Sequence, residues 1–219
     1  MVITKIERQK KHPQRVNLFI DDLFAFGAHD EVLVKFGLRK GDTLDDEMIR
    51  KIETEEEYNL AKQHALRFLS YRLRSEKELQ AKLKEKEFHP HTIERVTEHL
   101  RSIGMLNDKQ FAQSFVHHLL SRKPAGKTLL QRELRLKGIN TDIINEILQE
   151  HAEGNHEEEL AEEAAKKLFV KLRSSRKKSD DQLQKRRIAS YLARRGFGWS
   201  TINPVLRKLF NTSSTTRED

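Results

Sequence analysis

One spacing constrains this chain more than any other property. Leu79, Leu83, Phe88 and Ile93 recur 51 residues later as Leu130, Leu134, Ile139 and Ile144, which recur 58 residues later as Ile188, Leu192, Phe197 and Ile202. Val96, Ile147 and Val205 keep both offsets, as do the basic residues Lys86, Lys137 and Arg195. A preceding segment repeats as well. Ala61, Ala65, Phe68 and Leu69 match Ala112, Val116, Leu119 and Leu120 at offset 51, and these match Ala161, Ala165, Leu168 and Phe169 at offset 49. The nine-residue difference falls in one place, around "RSSRKKSDD". Two or three apolar positions coincide easily in helical sequence, but sustained offsets with one localised insertion do not. The apolar positions stand three and four apart, the period of a helix with one buried face. Each unit therefore reads as three helices: an Ala-rich one, a basic one, and a short one apolar on one face. Gly138 and Gly196 separate the second and third helices and permit a left-handed turn there, while Glu87 takes that position in the first unit. Such units stack on their neighbours. The expected fold is mainly α: an elongated, curved tandem array of three three-helix units over 56–106, 107–152 and 153–210.

The residues before the array differ. "RVNLFIDDLFAFG" alternates apolar and polar positions around Asp21-Asp22 and reads as a β-hairpin, with "VITKIERQ" as a third strand. "HDEVLVKFG" reads as a short helix closed by Gly37, and "KGDTLDDEMIRKI" opens another capped by Asp or Thr. Residues 1–55 are thus expected to form a small α+β cap. Thr54-x-x-Glu57, Ser75-x-x-Glu78 and Thr128-x-x-Gln131 each match the capping box that starts a helix. The carboxylates of "TEEEY" and "HEEEL" are likewise assigned to helix starts, where they favour the positive dipole end. "AEGNHEEEL" reads as a linker, and 211–219 as a disordered tail.

Composition then limits the chemistry. The 219 residues carry a net charge of +8 and no cysteine. This excludes disulfides, a thiolate nucleophile and cysteine-ligated metal, and it fits the cytoplasm. No nucleotide-binding loop or metalloprotease motif occurs, and the histidine pairs His89/His91 and His117/His118 lack a third ligand at motif spacing. No cofactor, metal or catalytic residue is expected. "MVITKIERQKKHPQR" has no signal-peptide apolar core, and no apolar run approaches the length of a membrane span. Fourteen Lys or Arg between Lys166 and Lys208 face only Asp180 and Asp181, so the basicity concentrates in the third unit. Basic helix faces suit phosphates or an acidic protein groove. The candidate contact residues are Arg72, Arg74, Lys82 and Lys86 in the first unit, and Arg122, Lys123, Lys127, Arg132, Arg135 and Lys137 in the second. In the third they are Arg176, Lys177, Lys178, Arg186, Arg187, Arg194 and Arg195. Trp199 and Tyr191 suit either contact with a base or partner or packing against the third-unit helices, and core packing is the expected role.

With these units, "RLRSEKELQAKLKEKEF", "RSIGMLNDKQFAQSFV" and "RRIASYLARRGFGWSTI" resemble the RecX regulators of bacterial RecA, and "FIDDLFAFGAHDEVLVKFGLRKGD" resembles the N-terminal extension of many members. The resemblance implies a non-catalytic modulator. It would bind the groove of RecA–DNA filaments and suppress ATP hydrolysis, strand exchange and co-protease activity; separately, no leftover apolar helix is evident in the sequence, so a monomer is expected. A basic helical protein that binds single- or double-stranded DNA without RecA is the alternative.

Overall fold

The computed structural model describes residues 1–151, 156–174 and 180–211. Three antiparallel strands come first: β1 (Ile3–Arg8), β2 (Arg15–Ile20) and β3 (Leu23–His29), in the order β1-β2-β3. Ile20 pairs with Leu23 across the Asp21-Asp22 turn, where both aspartates take positive φ. The pattern therefore gives the hairpin and its third strand as expected. Val16, Leu18 and Ile20 on one face of β2 pack with Ile3, Ala28, Val32 and Ile52. Helix α1 (Asp30–Phe36) ends at Gly37 in the left-handed region, and Asp45 caps α2 (Asp46–Leu69) by accepting the Met48 N–H.

Helix α2 runs unbroken for 24 residues, so Thr54 does not start a helix. Its hydroxyl instead donates to the Arg50 carbonyl within the helix. The "TEEEY" carboxylates are therefore mid-helix: Glu55 binds Lys35 and Arg95, Glu56 binds Arg15 and the His29 N–H, and Glu57 binds the His89 N–H and the Thr92 hydroxyl. A Thr-x-x-Glu spacing is also a helix-surface spacing, and Asp45 had already satisfied the helix start.

The array follows as α3 (Glu76–Lys84) and α4 (Pro90–Ser102), then α5 (Asp108–Arg122), α6 (Lys127–Leu136) and α7 (Thr141–Glu150), then α8 (His156–Arg173), α9 (Asp181–Arg194) and α10 (Trp199–Asn211). With α2 as its first helix, the first repeat completes three three-helix repeats. Each has its own core. Leu79, Leu130 and Ile188 are buried at equivalent places, as are Leu83, Leu134 and Leu192, and Ile93, Ile144 and Ile202. By contacts along the chain, Met1–Arg74 and Leu79–Leu106 make a first unit; Ser75–Glu78 and the residues from Asn107 make a second.

Local details differ from the sequence reading. Ser75 does accept the Glu78 N–H, but Gly126 occupies the capping position before α6 and offers no side-chain bond, so Thr128 is not the cap. The Thr128 N–H goes instead to the Gly196 carbonyl. Half of the expected linker is helix, because "HEEEL" opens α8; residues 152–155 lie outside the described residues. Asn211 belongs to α10, and the rest of the expected tail lies outside them too. Trp199 is 62% exposed, not core, because it occupies the first position of α10. Tyr191 is half-buried against the third core.

Candidate site: a basic cleft repeated in each three-helix unit

The first two helices of every repeat leave a cleft between them, and equivalent residues line it. In the first repeat His64, Arg67, Phe68 and Tyr71 of α2 and its following turn face Leu79, Lys82 and Lys86. In the second, Phe115, His118, Leu119 and Arg122 occupy the same positions 51 residues on, with Glu133 for Lys82. In the third, Leu168 and Leu172 of α8 face Arg187, Ser190 and Tyr191 of α9, which stand 58 residues beyond Leu129, Arg132 and Glu133. Each repeat buries the same positions of its second and third helices, so the cleft recurs at equivalent positions although the residue types there differ.

The charge of each cleft differs. Arg122, Lys123, Arg132, Arg194 and Arg195 face one carboxylate, Glu133, in the second. Arg186, Arg187 and Arg194 line the third with no acid. Arg194 lines both, so within the second unit the two clefts form one guanidinium surface across α9. Arg122, Lys123, Arg186, Arg187 and Arg194 are exposed. Guanidinium groups present planar forks of donors suited to carboxylates and phosphates.

Not every candidate lies on this surface. Arg72 donates to its neighbour's carbonyl at Leu73, and the half-buried Arg74 guanidinium lies 4.0 Å from the Phe68 ring centroid. Lys127 lines a separate small cavity with His151 and Glu157, and Arg135 is exposed on α6. Arg176, Lys177 and Lys178 lie outside the described residues. The third-repeat surplus is also smaller than the window from Lys166 suggests. Lys166 and Lys208 both bind Glu162, and Lys167 binds Glu163, acids just upstream of that window. Hydrogen bonds from Lys166 and Lys208 hold the Glu162 carboxyl below the usual carboxylate range.

In the second and third repeats the shared basic position makes contacts within the chain. Lys137 Nζ binds Glu78 Oε1 at 2.6 Å, in the first turn of α3, while Lys77 Nζ donates to the Leu136 carbonyl. Arg195, 58 residues on, reaches in the same way to the turn before α6 and donates through Nε (2.7 Å) and its guanidinium NH2 to the Pro124 carbonyl. Backbone bonds reinforce that seam: Gly126 N–H to the Arg195 carbonyl and Thr128 N–H to the Gly196 carbonyl. Lys137 and Arg195 are thus committed within the second unit. Sequence reasoning missed this, together with His64, Arg67, Tyr71, Phe115 and His118 as cleft residues. A basic residue kept at one position beside the left-handed turn was the available signal, because what repeats share is their packing.

Among the described residues no helix is long and apolar enough to cross a membrane, and no group of three or more His, Asp and Glu could hold a metal ion.

Comparison with known proteins follows the same divisions. Family models match residues 1–45 (regulatory protein RecX N-terminal domain), 61–100 (RecX, first three-helix domain), 107–148 (second) and 157–206 (third). The regulatory protein RecX of Clostridium acetobutylicum is 37% identical over 97% of this chain and 98% of its own length. That of Bacillus subtilis is 39% identical over 94% of this chain and 76% of its length. A crystal structure of regulatory protein RecX superimposes with a TM-score of 0.79 at 29% identity, covering 93% of this chain and 98% of that one. RecX from Lactobacillus salivarius shares the fold, with a TM-score of 0.63 over 71% of this chain and 97% of that one. Matched from its N-terminal strands to its third repeat, the chain belongs to the RecX family of regulatory proteins.

Proposed function

We propose that this protein is a non-catalytic regulator that binds the groove of RecA–DNA filaments and lowers RecA's ATP hydrolysis, strand exchange and co-protease activity. It acts in the cytoplasm as a monomer. The observation that carries the reading, beside the family, is the exposed guanidinium surface of the second unit, from Arg122 and Arg132 through Arg194 to Arg186 and Arg187. An anionic filament presents phosphates and acidic protein side chains at short intervals, and several modest contacts from one scaffold add through effective concentration.

The same surface supports a second reading, direct binding to DNA without RecA. One titration separates them: DNA-dependent ATP hydrolysis by RecA with this protein added, beside its binding to the same labelled DNA alone. The filament reading expects inhibition at concentrations well below those that bind naked DNA. Tight naked-DNA binding with no effect on hydrolysis would replace it with the second reading.

A further inference from the structure

One rim position of the clefts changes character from repeat to repeat. Arg122 lines the second cleft, and Lys171 stands 49 residues on at the equivalent place in the third; both are exposed cations. The first repeat has Tyr71 there, 51 residues before Arg122, and it is 70% exposed. His64, Arg67, Phe68 and Tyr71 follow the i, i+3, i+4, i+7 spacing of one helix face and form one wall of the cleft. The inner rings have partners. The His64 ring lies 5.6 Å from that of Phe88, and the Arg74 guanidinium lies 4.0 Å from the Phe68 centroid. Tyr71 makes no ring contact among the described residues. The facing wall carries Lys82 and Lys86, over a floor of buried Leu79 and Leu83, and the cleft holds about 320 Å³. Arg67 and Lys86 make no ion pair among the described residues. Lys82 binds Glu85 at 2.6 Å in an exposed pair, weak enough to yield to another anion.

We propose that the first-repeat cleft binds an unpaired nucleotide of a single-stranded nucleic acid, with the base stacked on Tyr71 and the flanking phosphates on Arg67 and Lys86. Charge alone does not choose this occupant, because an acidic peptide segment would satisfy the same cations. The aromatic rim chooses it. A phosphate or a carboxylate gains nothing from a neutral ring in place of the Arg122 guanidinium, whereas a nucleobase has a flat π-face that stacks on such a ring. An exposed ring beside cations in an open groove is the combination that holds single strands without reading their sequence. A duplex stacks its base faces against each other and offers this cleft phosphates only. The clefts of the second unit then supply phosphate contacts that any nucleic acid satisfies, and the first repeat adds a preference for unpaired strand.

The inference rests on the functional reading only in taking DNA as a partner, and it is tested without RecA so that the two can fail separately. Binding of the full chain is measured, at low salt, to an oligothymidylate and to an abasic strand of equal length, which keeps the phosphates and lacks the bases. Wild type is expected to bind the oligothymidylate about tenfold more tightly or better. Tyr71→Ala should lose about tenfold on the oligothymidylate and change abasic binding less than about twofold. Tyr71→Phe should keep the preference, since the ring does the stacking. Tyr71→Lys, which copies the cation of the other repeats, should raise abasic binding and abolish the preference; it keeps the test open if the alanine variant misfolds. A wild-type preference retained by both Tyr71→Ala and Tyr71→Lys would overturn the site, as would undetectable binding of the oligothymidylate. Tyr71→Ala that leaves both strands unchanged and weakens binding to RecA filaments would give the cleft to an acidic protein segment and overturn the nucleotide. Failure of RecA inhibition beside a Tyr71-dependent preference would remove the filament reading and leave this site standing.

Discussion

Glu87 is the residue at which the first repeat departs from the other two. It holds φ at +63° where Gly138 and Gly196 hold +82° and +84°. A side chain in that region costs about 1 kcal/mol or more, so Glu87→Gly is expected to stabilise the chain by about 1 kcal/mol, seen as a higher urea midpoint at unchanged slope. The reverse experiment is harsher. A Cβ on Gly196 would collide with the Leu129 backbone nitrogen, so Gly196→Ala should lose about 2 kcal/mol or more in the same assay. The need for glycine at these turns was legible from the repeat alone. That Lys137 and Arg195 lie on seams was not, because an offset says that two positions are equivalent without saying what either touches.

At the scale of elements, Glu55 joins three helices: it sits on α2 and binds Lys35 of α1 and Arg95 of α4, each at 2.7 Å. Burial acts to raise its carboxyl pKa, but the hydrogen bonds from Lys35 and Arg95 outweigh burial and hold it below the ordinary value. A depressed folded-state pKa means stability that is present above the unfolded value, near 4.3, and lost as pH falls through the folded one. Glu55→Gln should therefore unfold more easily at neutral pH, and the wild-type advantage should shrink in urea titrations as pH is lowered through that window. Helix existence was readable from the 3.6-residue period, whereas helix starts were not. Three capping boxes were read, of which Ser75 alone begins a helix, since a hydroxyl three residues before an acid or amide also arises along any exposed helix face. The clefts were invisible because they combine side chains from helices whose relative pose is set by buried leucines elsewhere.

For the whole molecule, the exposed guanidinium surface lies in the second unit, and the proposed function is tested there. Reversing Arg186, Arg187 and Arg194 to Glu, and leaving Arg195 to hold Pro124, should abolish inhibition of RecA ATP hydrolysis while circular dichroism stays unchanged. Inhibition equal to wild type would dismiss this surface as the contact. If phosphates are neutralised there, the concentration for half-inhibition should rise steeply with salt, and less steeply for the triple variant. The architecture was legible because three copies of one pattern reinforce each other; the site was legible only as a region, because charge counted along a window misses partners such as Glu162 just outside it.

The turn glycines also bear on how such a chain can lengthen. A duplicated copy of the second or third repeat carries its own glycine, so its turn can settle against the helix start before it. A unit added ahead of the first repeat would meet the Glu87 side chain instead. Duplication therefore meets fewer steric obstacles inside the array than ahead of its first repeat, where Glu87 stands in the place of the turn glycine.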